Sequence, residues 1–295
     1  MATLRELKGR IGSVKSSEKI TGAMKMISSA KMHKADGVLR SLVPYRHQIK
    51  TIIAHLLNSD NNYDSPLITP REVNHISIVV FGSDDGLCGA YNIQIFKYLI
   101  TKLAEYKTIY GNNVRFRILP IGKKMVKAVS KLAQSDIEVV GNIQLNTRSQ
   151  LEEIKVFTNQ LQNEFISLET DKIAVIYTHF KSVSKQFPVI DELFPIDPAK
   201  LSGELDHNNT NKPYLFEPDP NTIFNSVLPL FVLSTMQEIA AENNASEQAA
   251  RVMAMQSAND NAKNLLEELQ IVYNKLRQQS ITTELLDILG GQVKE

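Results

Sequence analysis

The residues best placed to do chemistry form one run, Gly82-Ser83-Asp84-Asp85-Gly86-Leu87-Cys88-Gly89-Ala90, lying between a β-branched segment and an amphipathic one. A glycine-bearing strand-turn-helix of this kind is where backbone N–H groups can cradle a phosphate. The spacing is neither GxGxxG nor that of a P-loop, and Asp84 and Asp85 would repel a phosphate at the point where N–H groups should attract it. Close packing of a helix on a strand is the better account of these glycines. Cys88 could serve as a nucleophile, but the sequence names no histidine partner for it, and small buried cysteines are commoner than catalytic ones. The six histidines, His33, His47, His55, His75, His179 and His207, are scattered without ligand spacing. Asp191-Glu192 and Glu267-Glu268 read as surface acids rather than acid/base dyads. The expectation is a chain with no catalytic residue, no cofactor site and no metal site of its own.

The elements around this turn are of two kinds. Residues 76–81, 114–120, 172–180 and 187–195 read as strands, and 123–133 and 149–168 as helices between them. That alternation predicts a parallel, Rossmann-like α/β domain over residues 74–200. Outside it the chain is helical. Residues 1–57 read as one long helix with a narrow apolar stripe: Leu4, Leu7, Ile11 and Val14, then a six-residue skip to Ile20, then Met24, Ile27 and Ala30. The skip reads as a stutter in a coiled coil. Residues 220–290 read as the returning helix, with Asp219 as cap, Pro220 as first residue, and Gly290-Gly291 as stop. Its seam is read as Leu265, Leu269, Val272, Leu276, Gln279, Thr283 and Leu286, alternating by four and three. Polar Gln279 and Thr283 in that seam predict that the partner helix ends, or that the surroundings become polar, near Gln278 to Glu284, with an exposed helical tip. Pro44 and Pro229 are candidate kinks, and residues 58–70 and 200–219 candidate loops.

Charge is unevenly divided. The net charge is +1, but residues 1–50 carry eleven Lys/Arg against three Asp/Glu, and residues 221–295 five against nine. Opposite signs on two long helices favour pairing along their flanks, although each exposed pair adds only a few tenths of a kcal/mol. Basic helices can also neutralise phosphates, but a near-neutral chain without tryptophan or an aromatic stacking series in this segment argues against nucleic acid. One cysteine excludes an internal disulfide and suits a reducing compartment. No secretory leader is expected, and no apolar run is read as approaching the ~18 residues of a membrane span.

Four segments, in order, carry a resemblance. LKGRIGSVKSSEKITGAMKMISSAKMHKA at Leu7–Ala35, SDDGLCGAYN at Ser83–Asn92, YLFEPDP at Tyr214–Pro220, and ASEQAARVMAM with IVYNKLRQQSITTELLDILGG at the C-terminal end closely resemble the γ subunit of F-type ATP synthase. Residues 100–200 match in pattern only. The resemblance implies a fold in which the terminal helices form a long antiparallel coiled coil, the rotor shaft inside an α3β3 hexamer, and the α/β domain forms a foot. It implies α, β and ε subunits and the membrane c-ring as partners, catalysis in the β subunits, and no direct membrane insertion. The implied place is peripheral, on the cytoplasmic face of a bacterial inner membrane. By the same resemblance Arg251, Gln278, Thr282 and Glu284, with Met24 and Lys25 on the opposite helix, match β-contact positions, and Tyr214 and Glu217 match foot positions facing the c-ring and ε. Asp85 stands where the family usually has arginine, which removes a positive charge from the foot turn.

Overall fold

The computed structural model describes residues 3–57, 63–133, 135–141, 143, 145–147, 149–202 and 216–292. Contacts divide the chain into two units, Ala30–Ala250 and the pair Met1–Ser29 with Arg251–Glu295. Two long helices pass through both: α1 (Leu4–Leu57) and α6 (Pro220–Gln292).

The larger unit is built on a sheet of β1 (His75–Phe81), β2 (Arg115–Ile121), β3 (Ile137–Val139), β4 (Lys172–Ser182) and β5 (Lys185–Phe194), in the order β3-β2-β1-β4-β5. The first four strands are parallel neighbours. β5 runs antiparallel to β4, which corrects the all-parallel expectation. Only two residues, Val183 and Ser184, separate those strands, and so short a connection can only fold back as a hairpin. The three-residue β3 is too brief to register in a periodicity reading, and the helix expected over 123–133 is shorter, α3 (Lys123–Val129) followed by a 3-10 turn. The short helix α5 (Pro198–Ser202) runs into the start of the loop expected from residue 200.

Strand alternation feeds two cores. Ile76, Ile78 and Val80 of β1 face α2 (Tyr91–Tyr110) and α3, burying Ile95, Leu99, Leu103 and Met125. Val79 and Phe81 point the other way, towards α4 (Leu151–Ile166) and the inner portions of α1 and α6. There Ile49, Ile53 and Leu56 of α1 join Phe224, Leu228, Val232 and Met236 of α6 in one cluster. α1 and α6 run antiparallel here, since Arg46 pairs with Glu238 while Asp64, beyond the end of α1, meets Asn221 and Asn225. α6 begins as expected, with Pro220 as its first residue and the Asp219 carboxylate accepting the Thr222 N–H at 2.9 Å. One 18-residue window of α6 reaches a mean hydropathy of 1.3, enough by length and composition to cross a membrane and contrary to the sequence expectation. Its early apolar residues are instead consumed by the core just described.

The smaller unit pairs the outer parts of the same helices. Along α1 the covered positions include Leu4, Leu7, Ile11, Val14, Glu18, Thr21, Lys25 and Ser28, an alternation of three and four, with Gly22, Met24 and Ser29 partly covered beside them. No stutter is present: Ile20 and Ile27 are 63% and 52% exposed. The seam is polar rather than shifted, because Asn259 of α6 donates to the Glu18 carbonyl at 2.7 Å and approaches Gly22 closely. A polar seam residue of this kind fixes register at some cost in stability. On α6 the covered positions include Val252, Met255, Asn259, Ala262, Leu266, Leu269, Tyr273, Leu276 and Ser280. Leu269 and Leu276 belong to the expected seam; Leu265, Val272, Gln279, Thr283 and Leu286 are exposed instead. Adjacent pairs at 265/266 and 272/273 make two stripes legible, and only the partner helix selects one. Every residue from Ile281 to Leu289 is exposed, so the expected tip is present.

Candidate functional site

The glycine turn is filled by its own chain. Asp84 accepts from the Lys123 N–H at the start of α3 through one carboxylate oxygen, at 3.1 Å. Its other oxygen accepts from the Thr147 N–H and hydroxyl, at 3.1 and 2.7 Å. The carboxylate therefore caps the neighbouring helix α3 and ties the turn to the segment before α4, leaving a negative charge where a phosphate would have to approach. A Cβ on Gly82 would lie 2.5 Å from the Met125 Cβ, and one on Gly122 (φ +98°) 2.9 Å from the Ser83 carbonyl carbon. These glycines let α3 close on the strand ends, which is the packing account. Leu87, at φ 64°, and Gly89, at φ 61°, turn the chain into α2.

Cys88 is buried, with polar neighbours Ser83 (Oγ, 3.7 Å), Asn92 (Nδ2, 3.5 Å) and the Asp85 carbonyl (3.9 Å). Asn92 also binds Ser83 on both its hydroxyl and its N–H, so the thiol closes a small structural network. None of these neighbours is a general base, and among the described residues no group of three or more His, Cys, Asp and Glu could hold a metal. The turn is tied to α6 by Asn243, which accepts from the Tyr91 hydroxyl at 2.7 Å and donates to the Gly82 carbonyl at 3.2 Å. That link is long in sequence and carried no local signal.

A second polar cluster lies where α6 crosses β4 and β5. Glu242 pairs with His179 and accepts from the Phe180 N–H, Glu238 pairs with Arg46, and Tyr177 donates to Asp191. Burial raises Glu238 and Glu242 above the ordinary glutamate range, against the attraction of Arg46 and His179 respectively. Burial also raises Tyr177, helped by Asp191. These groups are structural ties between helix and sheet.

Of the eight residues singled out by resemblance, Met24, Lys25, Arg251, Gln278, Thr282 and Glu284 belong to the smaller unit and Glu217 to the larger. Gln278, Thr282 and Glu284 are exposed on the end of α6, with the Thr282 hydroxyl turned back onto the Gln278 carbonyl. Met24 and Lys25 are half-buried on α1. Arg251 is only 4% exposed, which leaves it little surface to present. Glu217 is exposed just before α6, and Tyr214 lies outside the described residues. What sequence reasoning missed is the exposed apolar flank of the tip, Ile281, Leu285, Leu286, Ile288 and Leu289. Its signal was visible as leucines continuing past the end of the partner stripe.

Long paired terminal helices with a five-stranded α/β unit between them define the class: a helical hairpin carrying an inserted α/β domain. Residues 3–293 match the family described as ATP synthase. The ATP synthase gamma chain of Phocaeicola vulgatus is 38% identical over 296 residues, covering 99% of this chain and 100% of that one. That of Cupriavidus pinatubonensis is 35% identical, covering 99% of each. Among solved structures, a chain of the Euglena gracilis mitochondrial ATP synthase (OSCP/F1/c-ring) shares the fold with a TM-score of 0.65 at 19% identity, covering 98% of this chain and 93% of that one. A chain of the Tetrahymena thermophila mitochondrial central stalk and c-ring does so with 0.55 at 22%, covering 81% and 99%. The chain belongs to the ATP synthase gamma-chain family, and with it to a membrane-associated complex.

Proposed function

We propose that the chain is the non-catalytic rotor of the central stalk, coupling proton flow through a membrane c-ring to ATP synthesis at β subunits by turning inside an α3β3 hexamer. The observation that carries this is the tip: nine consecutive exposed residues, Ile281 to Leu289, on a helix that has outrun its partner, five of them large and apolar. Such a surface favours a close-fitting partner. A partner that must let the shaft turn cannot hold it by deep fixed ion pairs, and the tip offers mostly apolar and neutral polar groups, with Glu284 and Asp287 its only charges between Ile281 and Leu289. Gln278, Thr282 and Glu284 would then be catches for β, with Met24 and Lys25 on the facing helix. Arg251, almost wholly buried, would act on β indirectly. Tyr214 and Glu217 would dock on the c-ring and ε, placing the foot on the cytoplasmic face of a bacterial inner membrane without insertion. The carboxylate-filled turn and the baseless Cys88 support a chain without an active site of its own.

Purification of the tagged chain from its own cells tests this. α and β subunits should accompany it, and deletion of residues 281–292 should weaken that association while leaving the larger unit folded. Recovery of the chain without α and β, or association unaffected by the deletion, would reject the rotor reading.

A further inference from the structure

A cavity of about 570 Å³ lies within the larger unit, between α1, α6 and the loop leading into α4, at the carboxyl end of β1. That is within the size range of small-molecule sites. It also lies where open α/β sheets take ligands, outside the carboxyl ends of strands near the point where strand order reverses, here between β1 and β4. Its floor is apolar, formed by Phe81, Leu145 and Ile154.

Three amides line the α6 wall. Gln237, Asn244 and Gln248 are spaced by seven and four, which puts them on one helix face, with the small Ala240 and Ala241 between them keeping the slot open. Gln237 and Gln248 are 8% and 7% exposed. Neither makes a side-chain hydrogen bond to any described residue, and neither amide is fully shut off from solvent, so both are open to the slot. On the opposite wall Lys31 and Lys34 stand on α1, one turn apart, exposed and without an ion pair to any described residue. Because Arg46 of α1 meets Glu238 and the helices are antiparallel, the lysines lie towards the Gln248 end and Gln237 towards the other. The slot is therefore polarised: cationic at one end, with neutral hydrogen-bonding groups over an apolar floor at the other.

From this geometry we propose that the slot is a binding site for a nucleoside phosphate, its phosphate at Lys31, Lys34 and Gln248 and its base edge on Gln237 and Asn244. Amides carry donor and acceptor together and match the mixed edge of a heterocyclic base. The apolar floor suits the ring face. An acyl chain with a carboxylate would satisfy the lysines but leave the buried amides facing hydrocarbon, which is costly. This site is separate from the glycine turn, where Asp84 is bonded to Lys123 and Thr147.

Titration calorimetry on the isolated full chain, with AMP, adenosine, inorganic phosphate and dodecanoate as probes, tests the proposal. AMP should bind one to one. The double variant Lys31→Gln/Lys34→Gln, altered only at exposed positions, should weaken AMP by about tenfold or more, equivalent to ~1.4 kcal/mol, and leave adenosine unchanged. Gln237→Leu should weaken both AMP and adenosine; Asn244→Leu serves the same purpose at a half-buried position should the first variant lose its native circular dichroism. Absence of AMP binding at millimolar concentration would overturn the assignment. So would tighter binding of dodecanoate than of AMP, or AMP binding that depends on the lysines but on neither amide.

Discussion

Substituting Gly82→Ala tests whether the glycine turn exists for packing. The added Cβ would meet the Met125 Cβ at 2.5 Å, the Met125 Cε at 3.0 Å and the Asn92 Oδ1 at 3.1 Å. Carbon atoms rest at roughly 3.5–4.0 Å, so the end of β1 and α3 must separate by about 1 Å. That separation disturbs two other ties at the same point, Asn92 onto the Ser83 N–H and Asn243 onto the Gly82 carbonyl. Overpacking costs ~1–3 kcal/mol, and a clash against a Cβ, which no rotamer change relieves, belongs at the upper end. For a unit of this size each kcal/mol lowers Tm by roughly 2–4 °C, so a fall of about 5–10 °C is expected. Thermal unfolding followed by circular dichroism measures the change. Met125→Ala should rescue little, because it removes the Cε and keeps the offending Cβ. Gly86→Ala is the control: its nearest neighbour would be the Lys124 Cε at 3.8 Å, an ordinary contact on a flexible side chain, and stability should stay within about 0.5 kcal/mol of the parent. Equal stability of Gly82→Ala and the parent, or full rescue by Met125→Ala, would refute the packing account.

In the outer helical pair, Leu266→Ala should destabilise more than Leu265→Ala, because Leu266 is half-covered and Leu265 is 45% exposed; a thermal melt ranking them the other way would restore the register read from sequence. Burial raises the folded-state values of Glu238 and Glu242, so their contribution is full below the ordinary value of 4.5 and is lost as pH rises through the folded values. Glu238→Gln should therefore flatten the fall of the urea midpoint above that pH, and an unchanged pH slope would count against it. Asp219 runs in the opposite sense: hydrogen bonding from Thr222 lowers its value below 3.8, so its cap is present above that pH and lost as pH falls through the lowered value, and Asp219→Ala should remove that acid-side dependence. Glu217→Lys and Tyr214→Ala should leave the chain folded and assembled but lower the ratio of proton pumping to ATP hydrolysis; an unchanged ratio in both would remove these residues from the docking assignment.

Local chemistry was enough to determine several things. Alternating β-branched runs set β1, β2 and β4, Asp219-Pro220 set the start of α6, and the spacing and charge of the turn argued against a phosphate cradle before any fold was known. These are properties of a few neighbouring residues, and the chain carries them wherever it packs. Other features depend on residues far apart in sequence, and only the tertiary structure decided them. The seam of α6 was ambiguous by one residue until a partner helix chose Leu266 over Leu265, and the apparent stutter in α1 dissolved once Asn259 supplied hydrogen bonds to a polar stretch of seam. Burial of Arg251, the tie from Asp84 to Thr147, and the convergence of Gln237 and Gln248 with Lys31 and Lys34 belong to the same kind. Side-chain type states what a residue can bond. Which bond it makes is settled by neighbours that the fold brings from elsewhere in the chain.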